Sequence, residues 1–346
     1  MHAIILKCKP GTLFRLGEGS LVDVSHIIHS DTLFSAITTI YEMVYGAGEE
    51  FVNLVNKNKM SFSSAFPLLE DVDSGEHIYF LPKPNIVFSH VESLSKKIKK
   101  IKYLSFKALT MILENFDQSC ISSSYDFSSL IIVAGEYAIL KNEIGIFQSN
   151  NHSLIQEHIF PKTAVHKNDR KDAFYFQTDI QLVPLKDNSG RILYKPHFFF
   201  LVNESLNEEE KKRFVSCLRI LADEGIGGDR GSGKGCIEEI AITDFKYMPF
   251  KAAKYFITLS LVNPASQFEF DNCIQYNIIR RGGGSIGTDG QSDFHRKQVR
   301  MISEGSVIKS QITGRIVDIS PTVNHYKNKI FRNGRAFLIP LGWGNE

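Results

Sequence analysis

Residues able to grip or transform a phosphate chain gather at four places in this sequence. The densest is Gly225-Ile226-Gly227-Gly228-Asp229-Arg230-Gly231-Ser232-Gly233-Lys234-Gly235, where six glycines surround two cations and a hydroxyl. Glycine loses more conformational freedom on folding than any other residue, so such a run implies backbone at positive φ or pressed close to a ligand. Arg230 and Lys234 point to a ligand built of phosphates. Arg280-Arg281-Gly282-Gly283-Gly284-Ser285 repeats the combination, and His166, Lys167, Arg170 and Lys171 set three cations and an imidazole in one short stretch. The fourth place is His29 beside Ser30, where an imidazole could take a proton from a hydroxyl near neutral pH.

Each feature has a rival reading. Gly228 to Lys234 satisfies most of the phosphate-loop pattern of nucleotide hydrolases, but Gly235 stands where a magnesium-binding Ser or Thr is required. The loop also follows a helical pattern and leads into a strand, the reverse of the order that puts amides at a helix N-terminus. Nucleotide hydrolysis is therefore not expected. His29 needs a cation to stabilise a phosphorane and an acid for the leaving oxygen, neither of which a sequence can position, so local packing at the start of a helix is the plainer role. His152, His158 and His166 are spaced by six and eight residues, which is not a ligand pattern, and no metal or other cofactor is expected.

The chain has 346 residues, 43% of them hydrophobic, enough for two domains with a sizeable core. A formal net charge of +2 is too mild to diagnose a polyanion partner, so any basic surface must arise by local clustering. Five cysteines, at positions 8, 120, 217, 236 and 273, show no paired short spacing, which argues for a reducing, cytoplasmic setting. No apolar run approaches the ~20 residues that span a bilayer, and Met1-His2-Ala3-Ile4 opens a strand pattern instead of a basic leader. No membrane partner is expected.

The elements that must position these residues read as follows. Ile4, Leu6 and Cys8 alternate with Ile5, Lys7 and Lys9, the period of a strand with one buried face. Asp31 can cap a helix carrying Leu33, Phe34, Ile37, Ile40, Tyr41 and Val44 at helical spacing, and Gly46 ends it. Residues 48–172 are less regular and read as an insertion; its run Lys96-Lys97-Ile98-Lys99-Lys100-Ile101-Lys102 is a solvated face or an RNA contact. Phe174 to Leu182 and Tyr194 to Val202, around a turn at Asp187-Asn188-Ser189-Gly190, predict a hairpin. Asn207 with Glu208, Glu209 and Glu210 opens a helix that Gly225 closes, and a strand from Cys236 to Ile242 follows the glycine loop. This order is that of a ferredoxin-like (RRM-like) unit with its first helix and second strand separated by the insertion. A second, smaller, strand-rich ferredoxin-like domain is expected over 249–346, with strands near 255–262, 273–279, 307–319 and 335–341 and a boundary at Tyr247-Met248-Pro249-Phe250. The expected class is α+β, with domains 1–248 and 249–346.

His29-Ser30-Asp31-Thr32-Leu33-Phe34-Ser35 opening the first helix, Phe80-Leu81-Pro82-Lys83-Pro84, and the glycine loop before the last strand together resemble the RAMP superfamily of CRISPR proteins. The segments Thr313 to Pro321 and Arg332-Asn333-Gly334-Arg335-Ala336-Phe337-Leu338-Ile339-Pro340-Leu341 are similar to the subunit-four family of the type III-A Csm effector complex. The resemblance implies a non-enzymatic subunit that holds the 5′ handle of crRNA, caps a filament of backbone RAMP subunits and docks on the large polymerase-like subunit. It also implies a thumb hairpin, and Thr163 to Lys171 is similar to it.

The residues fit an RNA partner by their own chemistry, because single strands are held by cations on phosphates and by flat side chains on bases. Candidate RNA contacts are thus His29, Ser30, His166, Lys167, Arg170, Lys171, Gly228, Arg230, Gly231, Ser232, Gly233, Lys234, Arg280, Arg281, Gly282 and Gly283. Ala173-Phe174-Tyr175-Phe176 lacks the leading basic residue and glycine of an RNA-recognition signature, so those aromatics read as core or hairpin packing. The other class of function, a metal-independent endoribonuclease that processes guide RNA, would use His29 or His166 as general base.

Overall fold

The computed structural model describes residues 1–17, 20–88, 95–144, 153–164, 173–246, 253–286, 293–321 and 329–341. The strand His2–Lys7 lies second from one edge of the larger sheet, antiparallel to Ile192–Glu204 on one side and to the edge strand Glu239–Asp244 on the other. Ala3, Ile4, Ile5 and Leu6 are all buried, so both faces of this strand are covered. The one-sided alternation expected of it is corrected, because apolar layers cover both faces of the sheet at this strand.

Helix Ser30–Tyr45 buries Leu33, Phe34, Ile37, Ile40 and Tyr41 and ends at Gly46 with φ +60°. Asp31 is not its cap but lies in its first turn, with His29 at the N-cap position. The second long helix, Glu208–Glu224, begins with a capping box: the Asn207 side chain accepts from the Glu210 amide at 2.9 Å, and the Glu210 carboxylate accepts from the Asn207 amide at 2.9 Å. Phe51 of the helix Gly48–Asn56 stacks between Tyr41 and Phe214, with centroids 5.0 and 6.4 Å away, and locks the helical layer together.

The strand beside Ile192–Glu204 is Phe66–Asp71, paired from Tyr194↔Asp71 to Phe199↔Phe66. Phe174 to Leu182 therefore does not fill that place. It lies instead within Ala173–Leu182, which forms a long antiparallel ribbon with Ile155–Ala164 from Ile155↔Leu182 to Ala164↔Ala173. Leu13–Phe14 pairs at the base of that ribbon. Alternating patterns look the same whichever partner they meet, so the residues in order specify the strands and not their neighbours. The expected insertion is corrected likewise: its early part supplies a central strand, and His77–Pro82, Tyr103–Ser105, Tyr137–Leu140 and Leu130–Val133 extend the same sheet outward in that order.

The C-terminal part has a four-stranded antiparallel sheet in the order Cys273–Gln275, Val307–Ile308, Tyr255–Thr258, Leu338–Leu341. One short helix, Gln267–Asp271, precedes Cys273–Gln275 in sequence. Between Val307–Ile308 and Leu338–Leu341 the chain forms the small ladder Val317–Asp318 with Phe331–Arg332. Ile257, Leu259, Val307, Phe337, Ile339 and Leu341 join the main core, which thus reaches both sheets, while Val262, Cys273, Ile302, Ile308 and Ile312 form a smaller separate cluster. The expected boundary at 247–250 lies outside the described residues, as do His152 and the thumb residues His166, Lys167, Arg170 and Lys171.

Candidate nucleic-acid interface

A cleft of about 350 Å³ opens where the start of the first helix, the glycine loop and the C-terminal ladders meet. His29, Gly228, Arg230, Arg281 and Gly282 line it, so three of the sequence clusters share one groove. Arg15, Arg296 and Arg332 line it too, and Asp31 is the one carboxylate among the described lining residues.

Its floor is a buried ion cluster. Arg281 grips Asp31 in fork geometry, Nε to Oδ2 and Nη2 to Oδ1 both at 3.0 Å, and Nη2 also donates to Thr32 Oγ1 at 3.0 Å. Arg332 donates through Nη1 to Asp31 Oδ2 and through Nη2 to the Gly282 carbonyl at 2.9 Å. Burial alone would raise the Asp31 carboxyl, but the charges of Arg281 and Arg332 outweigh it and hold it well below the usual carboxylate range. Burial pulls the Arg332 guanidinium down from its ordinary value, partly offset by Asp31. The Nε atoms of Arg332 and Arg296 are buried with no hydrogen-bond partner among the described residues. Two guanidinium charges around one carboxylate leave the floor with net positive charge, a field that favours an anion.

The glycine loop supplies only part of what its sequence suggests. Lys234 is buried and meets Asp179 at 2.7 Å and Asp229 at 3.0 Å, so its ammonium is engaged inside the protein, tying the loop to the ribbon. Burial would lower its pKa, yet these two carboxylates raise it. The Gly228 amide donates to the Arg15 carbonyl at 2.9 Å and the Gly233 amide to the Arg230 carbonyl at 2.9 Å. A Cβ at Gly235, where φ is +74°, would fall 2.1 Å from the Ile226 carbonyl oxygen, and one at Gly227 2.6 Å from that of Arg15. These glycines let chains cross. Gly231 and Ser232 are exposed at the outer turn, where Ser232 Oγ donates to the Asp229 carbonyl at 2.7 Å. Arg230 is exposed at the cleft mouth.

Ser30 is fully buried, its amide donating to Ser64 Oγ at 2.8 Å and its hydroxyl accepting from the Leu261 amide at 3.0 Å, so it is a packing residue. Arg280 points away from Arg281, as neighbours on a strand must, and faces Arg300 across the ladder. It does not line the cleft. Gly283, at φ +132°, accepts the Arg296 amide at 3.0 Å. His29 is held from both sides, Nδ1 2.9 Å from Glu304 and Nε2 3.2 Å from Ser25 Oγ. Phe174 and Phe176, read as packing, are 65% and 50% exposed.

Sequence reasoning missed the role of Asp31, Arg332, Arg296 and Arg15. Arg332 carried a signal, since it opens the tail segment that bore the family resemblance; Asp31 was legible only as a cap. Arg15 stands alone in sequence, and Arg296 sits between His295 and Lys297, away from any glycine-rich cluster.

Fold and cleft define a mixed α+β, strand-rich protein built around an arginine-lined groove, with no helix among the described residues long and apolar enough to cross a membrane. Residues 251–341 match the family model of the CRISPR Csm4 C-terminal domain. A curated relative from Methanocaldococcus jannaschii, described as CRISPR system Cms protein Csm4, is 28% identical over 390 aligned positions covering 99% of this chain and 98% of that protein. The solved Csm3–Csm4 subcomplex of the type III-A CRISPR-Cas interference complex shares the fold with a TM-score of 0.68 and 23% identity, over 98% of this chain and 99% of the other. A Csm1–Csm4 cassette in complex with pppApA gives a TM-score of 0.57 at 18% identity, over 100% and 99%. The resemblance to the Csm4 subunit of type III CRISPR complexes therefore extends along the whole chain.

Proposed function

We propose that this chain is the Csm4 subunit of a type III-A CRISPR effector, that it holds the 5′ handle of crRNA in the arginine cleft, and that it makes or breaks no bond there. The carrying observation is the lining of the cleft: among the described residues, five arginines stand against one carboxylate, and Arg230 is exposed at its mouth. Phosphate contacts of this kind give affinity and register without reading bases. Docking between a backbone subunit and the large polymerase-like subunit, and capping of the filament, are supported by solved neighbours whose assemblies pair Csm4 with Csm3 and with Csm1. On this reading the two sheets are two ferredoxin-like units, the second with its second crossover helix replaced by the small ladder. The cytoplasm is the setting in which such a partner is met.

The test is binding of handle RNA by the full chain, followed by crosslinking and mass spectrometry on the assembled complex. Crosslinks at Arg230 or Arg296 with intact RNA are the expected result; no retention of handle RNA by chain or complex would sink the proposal.

A second reading has one observation behind it. Ser25, His29 and Glu304 form a hydrogen-bonded chain at the cleft wall, an oriented imidazole within a cationic groove, which is the arrangement a general base requires. Cleavage of repeat RNA in the presence of a chelator, abolished by His29→Ala, would establish it. Intact RNA after prolonged incubation removes it.

A further inference from the structure

A second cleft of about 320 Å³ adjoins the first, lined by Lys83, Lys99 and Lys102 with Tyr103 and Glu304. Both clefts use Ile27 as a wall. Between them runs one short septum: His29 of the arginine cleft meets Glu304 of the other at 2.9 Å, and Gly305 follows so tightly that a Cβ there would lie 2.9 Å from the Lys83 carbonyl oxygen.

The lysines reach this place because the run that carries them is anchored by apolar residues. Ile98 and Ile101 are buried in the core, which leaves Lys99 and Lys102 exposed at the rim. Lys83 donates to the Ile98 carbonyl at 2.9 Å, and burial lowers its pKa. The carboxylates nearby are engaged: Glu304 with His29 and Ser64, and Glu136 with Lys102 at 2.7 Å and with His26. Three lysines stand against these two carboxylates, and Lys102, though paired with Glu136, keeps 57% of its side chain exposed, unlike Lys234 at 11%.

We propose that this lysine cleft is a second phosphate subsite for the same single strand of RNA, which passes out of the arginine cleft over Ile27 and lays its next phosphates against Lys99 and Lys102. The inference rests on the RNA-binding reading of the arginine cleft. The two subsites differ in kind: an arginine fork fixes a phosphate in orientation, whereas an ammonium holds it as a point charge. The first therefore sets the register and the second retains the strand that follows.

The test uses the full-length chain and two labelled oligoribonucleotides of handle sequence, one short enough to fill only the arginine cleft and one several times longer. In Lys99→Ala/Lys102→Ala, whose exposed positions leave the fold intact by melting temperature, affinity for the longer strand should fall about 5-fold for each phosphate no longer neutralised at ~0.1 M salt, and its salt slope by about 0.7 for each. Binding of the short strand should not change. Equal affinities of variant and parent for the longer strand overturn the subsite, as does an equal loss on both strands. If Arg230→Ala/Arg296→Ala weakens the short strand while the lysine variant changes nothing, only the subsite fails; if the parent binds neither strand, the reading of the arginine cleft fails first.

Discussion

The glycine loop and the floor of the arginine cleft make an instructive pair. The loop is the more conspicuous in sequence, yet its lysine is neutralised by Asp179 and Asp229 and most of its glycines serve chain crossings. The floor is assembled from Asp31, Arg281 and Arg332, which are far apart in sequence and belong to no motif with one another. Conspicuous composition here marks chiefly a backbone requirement: of the loop's two cations only Arg230 reaches the cleft, and the other four arginines of the lining come from elsewhere.

The severest challenge to this contrast is Asp31→Ala. It strands two buried guanidinium groups, and should cost about 3–5 kcal/mol in chemical denaturation. A variant as stable as the parent would mean the cluster is not a structural unit. The same carboxylate gives the fold an acid limit. Its native pKa is depressed, so its contribution is complete above the unfolded value of about 3.9 and is lost as pH falls through the native one. The difference in stability between parent and Asp31→Ala should therefore shrink only in strong acid.

Gly235→Ala should come next. Left-handed backbone alone costs a residue with a Cβ about 1–2 kcal/mol, and the clash with Ile226 adds to it. Gly231→Ala, in open space at ordinary φ, should change stability by less than about 0.5 kcal/mol. Similar losses at both positions would show that the loop is not a chain crossing.

Function separates the two cations of the loop itself. Arg230→Ala should weaken handle RNA about 5-fold at ~0.1 M salt and flatten the salt slope, without moving the melting temperature. Lys234→Ala should lower stability by about 1–3 kcal/mol, since Asp179 loses its counter-charge, and leave the slope alone. A flattened slope in Lys234→Ala would return that lysine to the RNA.

The smallest effect is expected at His26, which lies 2.8 Å from Glu157 of the ribbon and 3.8 Å from Glu136 of the inserted region. Hydrogen bonding to Glu136 and then Glu157 raises its pKa against burial. Its stabilisation is thus full below about pH 6.5 and lost as pH rises through the raised native value. The gap in melting temperature between parent and His26→Gln should close in alkaline buffer.

Much of the framework was readable from residues in order. Asn207 with Glu210, Gly46 and the periodic apolar positions of the first helix are local signals, and local hydrogen bonding and burial decide them. The wrong neighbour assigned to Phe174 to Leu182 shows where this stops, because a strand's pattern specifies a buried face and carries no mark of which edge it will meet.

The order of residues was thus enough for the α+β composition, the C-terminus of the first long helix and both termini of the second, the glycine-rich crossing before the edge strand Glu239–Asp244, and the motifs that resemble the RAMP superfamily. Which cations face a groove was settled in three dimensions alone. Coulombic partners are chosen by distance in space, and residues 31, 281 and 332 are brought to one point by sheets whose pairing depends on the whole core.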